Sequence, residues 1–148
     1  AQTGVHLEIV NLVVPTLNDR MDQLRALAGW VTETLGPDVP LHFSRFFPQY
    51  KLANLPPTPI ETLIEAREVA MAEGLRFVYV GNVPGDPGNN TYCPRCGEAV
   101  IERDGFAVRA YRLQGDRCAD CGERIPGVWW ESPPDLTPRY GAPGAMDQ

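Results

Sequence analysis

Four cysteines in two matched pairs are the residues of this 148-residue chain best suited to chemistry. In each pair two residues separate the thiols and a glycine follows directly, as in Cys93-Pro94-Arg95-Cys96-Gly97 and Cys118-Ala119-Asp120-Cys121-Gly122. A spacing of two residues lets one tight turn aim both sulfurs at a common point, and the glycine permits the positive φ that such a turn needs. The sequence therefore predicts one tetrahedral metal site held by Cys93, Cys96, Cys118 and Cys121.

A four-cysteine zinc ribbon is the interpretation that this spacing favours. The 21 residues between the pairs, 97 to 117, leave room for a hairpin that returns the second pair to the first. Two disulfides or a lone redox dithiol are less consistent with the sequence, because the cysteines of a secreted scaffold are dispersed along the chain. Iron in a rubredoxin-like site stays open, since thiolates suit both metals.

Charge and hydropathy narrow the classes of partner. The net charge is −6 and the isoelectric point is about 4.8, whereas nucleic acids and anionic membranes favour a basic surface. The sequence has no apolar stretch of about 18 residues, so we expect no membrane-spanning segment. Thiols held by a metal fit a reducing cytoplasm. We expect a protein substrate or partner, and neither nucleic acid nor membrane.

Composition divides the chain into residues 1–83, 84–130 and 131–148. The first part carries periodic apolar segments, and the second contains the cysteines and many loop-forming residues. Between them, residues 84–90 (PGDPGNN) combine glycines and prolines that break both helix and strand. Residues 131–148 are rich in proline and glycine, so we expect a flexible tail there.

The first part predicts the order strand, helix, strand, helix, strand. We expect strands over residues 6–14, 39–47 and 76–83, the first of them buried on both faces. Alternation with helices implies parallel pairing through right-handed crossovers. Both helices then cover one face of the sheet, and the other face lacks cover.

Capping residues and apolar stripes mark the two helices. Asp19 is expected to cap the first helix, and Thr58 with Glu61 forms a predicted capping box for the second. The first stripe is Met21, Leu24, Leu27, Val31 and Leu35, and the second is Ile60, Leu63, Ile64, Val69 and Met71.

An uncovered sheet face indicates that the three strands belong to a larger α/β protein. Gly4, just before the first strand, is typical of the C-terminal cap of a preceding helix. An open parallel sheet exposes an unpaired edge and apolar surface. We therefore expect the chain to self-associate through that surface.

Six segments carry a family resemblance: residues 4–19 (GVHLEIVNLVVPTLND), 42–52 (HFSRFFPQYKL), 55–59 (LPPTP), 79–84 (YVGNVP), 90–94 (NTYCP) and 125–129 (IPGVW). Together they resemble the C-terminal part of the AmmeMemoRadiSam-system radical S-adenosylmethionine enzymes, which are relatives of the pyruvate formate-lyase activating enzymes. The resemblance implies the last three β/α units of a partial (β/α)6 parallel barrel, followed by the four-cysteine ribbon. It also implies a parent enzyme that uses S-adenosylmethionine and a [4Fe-4S] cluster.

The resemblance also implies where this chain contributes to the parent's site. Parallel barrels build sites at the C-terminal ends of their strands. On that basis Val10 and Leu12 lie beside the adenine, and Arg45, Phe47 and Asn82 lie nearer the barrel mouth. The Cys-x3-Cys-x2-Cys motif that holds the cluster in this family is absent from the sequence, so we expect this chain alone to be inactive.

Other interpretations of individual residues stay open at this stage. Arg45 can form an ion pair with Glu8 instead of contacting substrate or cofactor, since a charge in an apolar strand needs a partner. His6 and His42 are expected to be hydrogen-bonded structural residues. Alternative functions are a protein-binding module that uses Trp129 and Trp130 as exposed anchors, and an iron centre that transfers single electrons.

Overall fold

The computed structural model describes residues 5–129, which form a mixed α/β structure with a cysteine-rich β region at the C-terminal side. The elements are β1 (Ile9–Val13), α1 (Met21–Leu35), β2 (Leu41–Arg45), α2 (Ile60–Ala72), β3 (Val78–Gly81), β4 (Thr91–Tyr92), β5 (Ala99–Asp104), β6 (Ala107–Tyr111), β7 (Leu113–Gln114) and β8 (Arg117–Cys118). Short 3₁₀ turns lie at Tyr50–Leu52 and Pro87–Asn89. The expectations for Gly4, Trp130 and the tail fall outside the described residues. Between residues 5 and 129, neither helix combines the length and the apolar character needed to cross a bilayer.

The first three strands form one parallel sheet in the order β1-β2-β3. The predicted order of elements and the parallel pairing are confirmed. Each strand is shorter than the predicted range, and prolines account for part of the difference because they cannot donate to the ladder. Pro40, for example, lies just before β2 and contributes only its carbonyl oxygen, which accepts from the amide of Ile9 at 2.9 Å.

The two helices cover one face of this sheet, as the alternation of strands and helices predicts. The core between helices and sheet is built from Val13, Leu24, Ala28, Val31, Leu41, Phe43, Leu63, Ala66, Ala70, Val78 and Val80. Because successive strand side chains alternate between faces, Val10 and Leu12 lie on the opposite face, which we call the open face. Their side chains are 67% and 46% exposed. The prediction that the first strand is buried on both faces is therefore wrong.

The first helix begins one residue later than predicted. Its N-cap residue is Arg20, and no side chain caps the helix. Asp19 instead accepts a hydrogen bond from the amide of Thr16 at 3.1 Å, which closes the turn between β1 and α1. A short aspartate side chain can accept a hydrogen bond from a turn amide as readily as from a helix N-terminus, and here it accepts from the turn.

The second helix buries a different stripe from the predicted one. Ile64 and Met71 are exposed, and Ala66 and Ala70 lie in the core with Leu63. Alanines at these positions let α2 approach both α1 and the sheet closely, whereas larger side chains face solvent. The pattern of large apolar residues is therefore only partly informative in a helix whose buried stripe combines Leu63 with two alanines.

Thr58 ties the ends of β1 and β2 together instead of capping α2. Its side chain is fully buried, and its hydroxyl donates to the carbonyl oxygen of Val13 at 2.6 Å. The hydroxyl oxygen of Thr58 also accepts a hydrogen bond from the amide of Phe46 at 3.0 Å. The N-cap position of α2 is Pro59, which has no capping side chain, so the predicted capping box is wrong.

The cysteine-rich region, which we call the ribbon, covers residues 91–129. It contains two antiparallel sheets, β4-β5-β6 and β7-β8, around a small core of its own. That core is made of Phe77, Cys93, Val100, Ile101, Leu113, Cys118 and Ile125. Phe77 directly precedes β3, so the ribbon core is anchored on the end of the parallel sheet.

Tyr79 joins the ribbon to the open face of the parallel sheet. Its hydroxyl lies 3.0 Å from the hydroxyl of Thr91, and its ring stacks on His42 with centroids 4.8 Å apart. The guanidinium of Arg103 lies 5.9 Å from the centroid of the same ring. The ribbon therefore covers the β3 side of the open face, and the β1 side stays exposed.

Replacing Thr58 with valine should destabilise the fold by about 2 to 6 kcal/mol. The change keeps the shape of the side chain but leaves two buried backbone groups, at Val13 and Phe46, without a partner, and each costs about 1 to 3 kcal/mol. Urea denaturation measures the effect. Thr58→Ser keeps the hydroxyl and should cost only about 1 kcal/mol for the lost methyl group. Equal stability of the two variants would contradict this role.

Candidate metal centre

The first cysteine pair forms a closed knuckle at the end of β4. The amide of Gly97 donates to the carbonyl oxygen of Cys93 at 2.9 Å, and the amide of Cys93 donates to the carbonyl oxygen of Glu98 at 2.8 Å. Gly97 has φ 78, a left-handed conformation that glycine adopts without steric cost. These bonds bring the chain back on itself and leave Cys96 at the tip of the turn.

The second pair repeats the same turn. The amide of Gly122 donates to the carbonyl oxygen of Cys118, and the amide of Cys118 donates to that of Glu123, both at 2.9 Å. Gly122 has φ 72. Two knuckles with the same hydrogen bonds therefore face each other, and the pattern of glycines in the sequence identifies both.

The four sulfurs converge on one point. The Sγ atoms of Cys93 and Cys121 are 3.5 Å apart, those of Cys96 and Cys118 are 3.8 Å apart, and all four lie within 4.8 Å of one another. Tetrahedral Zn–S bonds of about 2.3 Å place sulfurs about 3.8 Å apart. All four cysteines are free thiols, and the closest pair is far beyond the S–S bond length of about 2.05 Å. The four predicted ligands form a group that can hold a metal ion.

The sulfurs shift one another's acidity in opposite directions. Desolvation raises the pKa of Cys93, but hydrogen bonds from the backbone of Cys96 and Arg95 outweigh it and lower the pKa to about 7. A backbone hydrogen bond at Glu98 lowers the pKa of Cys96, but desolvation and the neighbouring cysteine sulfurs raise it to about 12. One thiolate therefore forms easily, and further negative charge at the same point is opposed. A divalent cation removes that opposition, because it binds all four groups as thiolates.

Burial differs between the first and the second cysteine of each knuckle. Cys93 and Cys118 are buried in the ribbon core, whereas Cys96 is exposed and Cys121 is half-buried. Trp129 packs against the same core, and its indole N–H donates to the carbonyl oxygen of Ile125 at 2.7 Å. Trp129 is therefore a packing residue, so the prediction that it is an exposed anchor is wrong.

The five residues predicted to contribute to the cofactor site fall into two groups. Val10 and Leu12 lie on the open face of β1, next to His42 and Ser44 in the register. The amide nitrogen of Asn82 donates to the carbonyl oxygen of Arg45 at 3.2 Å, and the Arg45 guanidinium lies 5.0 Å from the ring of Phe47.

Arg45 itself belongs to the helix side of the sheet. Arg45 lies two positions after Phe43 on β2, so both side chains are on the face that packs against the helices. Its Nε donates to the carbonyl oxygen of Thr58 at 2.8 Å. Of the two alternatives left open for Arg45, the ion pair with Glu8 is therefore not the one that the structure shows. The backbone carbonyl of Thr58 supplies the partner that the sequence alone could not identify.

Glu8 pairs with two histidines. One carboxylate oxygen lies 2.9 Å from Nε2 of His6 and the other lies 3.0 Å from Nε2 of His42. Desolvation raises the pKa of Glu8, but the hydrogen bonds and charges of the two histidines outweigh it and lower the pKa. The expectation that both histidines are hydrogen-bonded is confirmed.

Sequence reasoning missed Tyr79, Thr91 and Arg103, which connect the ribbon to the open face. Arg103 lies 24 positions after Tyr79 and in a different sheet, so no local spacing indicates the contact. The only local signal is the alternation of β3, which places Tyr79 opposite the buried Val78 and Val80.

The chain is 52% identical over 124 residues to an uncharacterized protein of Methanocaldococcus jannaschii. The match covers 82% of this chain and 37% of the relative, so the chain spans little more than a third of that protein's length. No family model matches the chain. No solved structure matches it significantly.

We expect one metal ion per chain, and we expect its removal to unfold the ribbon. Structural zinc contributes about 10 to 16 kcal/mol of apparent binding free energy in small domains, and this ribbon core is small. Elemental analysis measures the metal, and amide NMR spectra before and after chelation follow the fold. Acidification should also release the metal, because protons compete with it for the thiolates.

Cys118→Ser should lose the metal, whereas Ala119→Ser, at the exposed neighbouring position, should keep it. A metal-free protein whose ribbon amides stay dispersed would contradict a structural metal. Elemental analysis distinguishes zinc from iron, and an iron–thiolate site would also colour the protein red.

Proposed function

We propose that this chain is the C-terminal portion of a radical S-adenosylmethionine enzyme related to the pyruvate formate-lyase activating enzymes, with a zinc ribbon attached. The observation that carries the proposal is the open face of the sheet, where Val10 and Leu12 lie exposed on the edge strand β1. A parallel barrel covers its outer face with helices and fills its interior with side chains of this kind. The sequence resemblance supplies the type of barrel.

A further observation supports a larger parent protein. The relative from Methanocaldococcus jannaschii is much longer than the region it shares with this chain.

In this proposal the ribbon metal is structural. Cys93, Cys96, Cys118 and Cys121 would hold it, and four protein ligands leave no open position for substrate or water. We favour zinc, because a closed four-thiolate site stabilises a small domain without redox chemistry. The metal would stabilise the ribbon, and the ribbon would in turn hold Thr91 and Arg103 against Tyr79 on the open face.

The cluster of the proposed enzyme does not fit this chain. A [4Fe-4S] cluster with an open iron needs three cysteines, and all four cysteines of the sequence converge in the ribbon. Cluster and methionyl contacts would therefore come from other parts of the parent. The contribution of this chain would be positional: Val10 and Leu12 would pack against the adenine, and Asn82 would lie at the C-terminal edge of the sheet.

The chain alone should release no 5′-deoxyadenosine from S-adenosylmethionine. The experiment uses anaerobic reconstitution with iron and sulfide, followed by reductant and S-adenosylmethionine, and chromatography measures the product against a control without protein. The longer parent should release it under the same conditions. Turnover by the 148-residue chain would overturn the assignment, because the ribbon cysteines would then have to hold the cluster. A parent without turnover would overturn the proposed activity.

We also expect the chain to self-associate through the open face. Val10 and Leu12 place apolar surface beside the unpaired edge of β1, and burial between copies removes that surface from water. Light scattering at increasing concentration should show dimers or larger species, and the double change Val10→Lys with Leu12→Lys should reduce them. Leu17→Lys is the matched control, since Leu17 is equally exposed but lies in the turn after β1. A strict monomer at high concentration would contradict this expectation.

A further inference from the structure

A cleft of about 450 Å³ lies between the C-terminal end of β3 and the hairpin that joins β5 to β6. Its walls include His42, Asn82, Asn89, Arg103 and Phe106. Small-molecule sites occupy about 300 to 1,000 Å³ and combine apolar walls with a few placed polar groups. This cleft has both, and it is distinct from the cysteine site.

Arg103 is held in place by one end of its guanidinium group. Its Nη1 donates to the carbonyl oxygen of Asn89 at 3.1 Å and to the hydroxyl of Thr91 at 2.9 Å. Within residues 5–129, its Nε and Nη2 have no hydrogen-bond partner, and no carboxylate lies within ion-pair distance; the remaining contact of the guanidinium is with the ring of Tyr79, 5.9 Å from the centroid. Those two nitrogens form one edge of the guanidinium fork, whose geometry matches a carboxylate.

The other arginines of the same hairpin behave differently. Arg109 pairs with Asp104 at 2.8 Å, and Arg112 lies 3.6 Å from Glu102. Arg103 is half-buried, so a charge without a carboxylate partner is more costly there than on the surface. This arrangement favours an anion as the partner of Arg103.

His42 and Asn82 complete the polar side of the cleft. The Nε2 atom of His42 is bonded to Glu8, and its Nδ1 has no partner in the described part of the chain. Asn82 adopts a left-handed conformation with φ 61, which asparagine tolerates better than most residues. Its amide nitrogen is fixed on the carbonyl oxygen of Arg45 at 3.2 Å, so its side chain is oriented before any ligand binds.

Phe106 forms the apolar side. It lies in the turn of the hairpin, fully exposed to solvent, after Gly105 at φ 57. Val83 and Pro84 line the cleft as well. A fully exposed phenylalanine next to a cleft gives a flat ligand ring a surface to pack on.

We propose that this cleft binds a small aromatic carboxylate. The carboxylate pairs with the free edge of Arg103, and the ring packs on Phe106. Glu8 is an acidic group that could repel the ligand's carboxylate. It does not line the cleft, and its two carboxylate oxygens are hydrogen-bonded to His6 and His42. The cleft shares Asn82 with the site of the proposed function, but the binding tested here uses this chain alone and does not depend on the parent protein's being a radical enzyme.

Benzoate is the probe, and amide NMR of the intact chain follows its binding. Benzyl alcohol has the ring without the charge, and acetate has the charge without the ring. We expect saturable shifts at Asn82, Gly105 and Phe106 with benzoate, and much weaker effects with the other two. Arg103→Gln should weaken benzoate binding about tenfold or more, because hydrogen bonds to a charged group are lost. Arg109→Gln, on the same hairpin but paired with Asp104, should leave it unchanged.

Phe106→Ala keeps the test decisive if Arg103→Gln disturbs the hairpin. Phe106 is fully exposed, so its removal should leave the fold intact and still weaken benzoate binding. Absence of saturable shifts with benzoate overturns the proposal. Equal responses to benzoate and benzyl alcohol overturn the anion site, and equal responses to benzoate and acetate overturn the aromatic part. Equal weakening by Arg103→Gln and Arg109→Gln indicates a general charge effect and also overturns it.

Discussion

The convergence of four cysteine sulfurs within 4.8 Å is the constraint on which the ribbon depends. Two of the seven buried residues of its core, Cys93 and Cys118, belong to this group. So small an apolar core contributes little stabilisation, and the clustered sulfurs oppose more than one thiolate at the same point. A bound cation would stabilise all four thiolates and hold the two knuckles together. A metal at this centre would therefore also stabilise the hairpin of β5 and β6 and the contacts that it makes.

The two helices cover only one face of the parallel sheet, so the open face has to be covered by other parts of the structure. On the open face the ribbon covers the β3 side through Tyr79, which contacts Thr91, Arg103 and His42. Glu8 continues the chain of contacts from His42 toward β1. This chain of polar and aromatic contacts holds two cores together, whereas the apolar surface at the β1 edge stays uncovered. Among residues 5–129, the open face is therefore covered on its β3 side and exposed on its β1 side.

The sequence is most informative where geometry is local. Cysteine spacing with a following glycine identifies all four sulfur positions, and apolar periodicity identifies the three strands and two helices in order. It fails where a partner lies far along the chain. Thr58 has the spacing of a helix cap, yet its hydroxyl serves two strand ends, one of them 45 residues away. The stripe of α2 fails for another reason, because close packing there favours Ala66 and Ala70 over larger side chains.

The cleft beside β3 shows how the two parts of the chain combine. His42 and Asn82 are positioned by the parallel sheet, and Arg103 and Phe106 are positioned by a hairpin of the ribbon. Neither part alone brings these groups together. Arg103 keeps its orientation only while β4 pairs with β5, since Thr91 and Asn89 lie at the start of that pairing. A change at the cysteine centre that loosens the ribbon therefore reaches the cleft through Thr91 and Arg103, although the helices and their core stay in place.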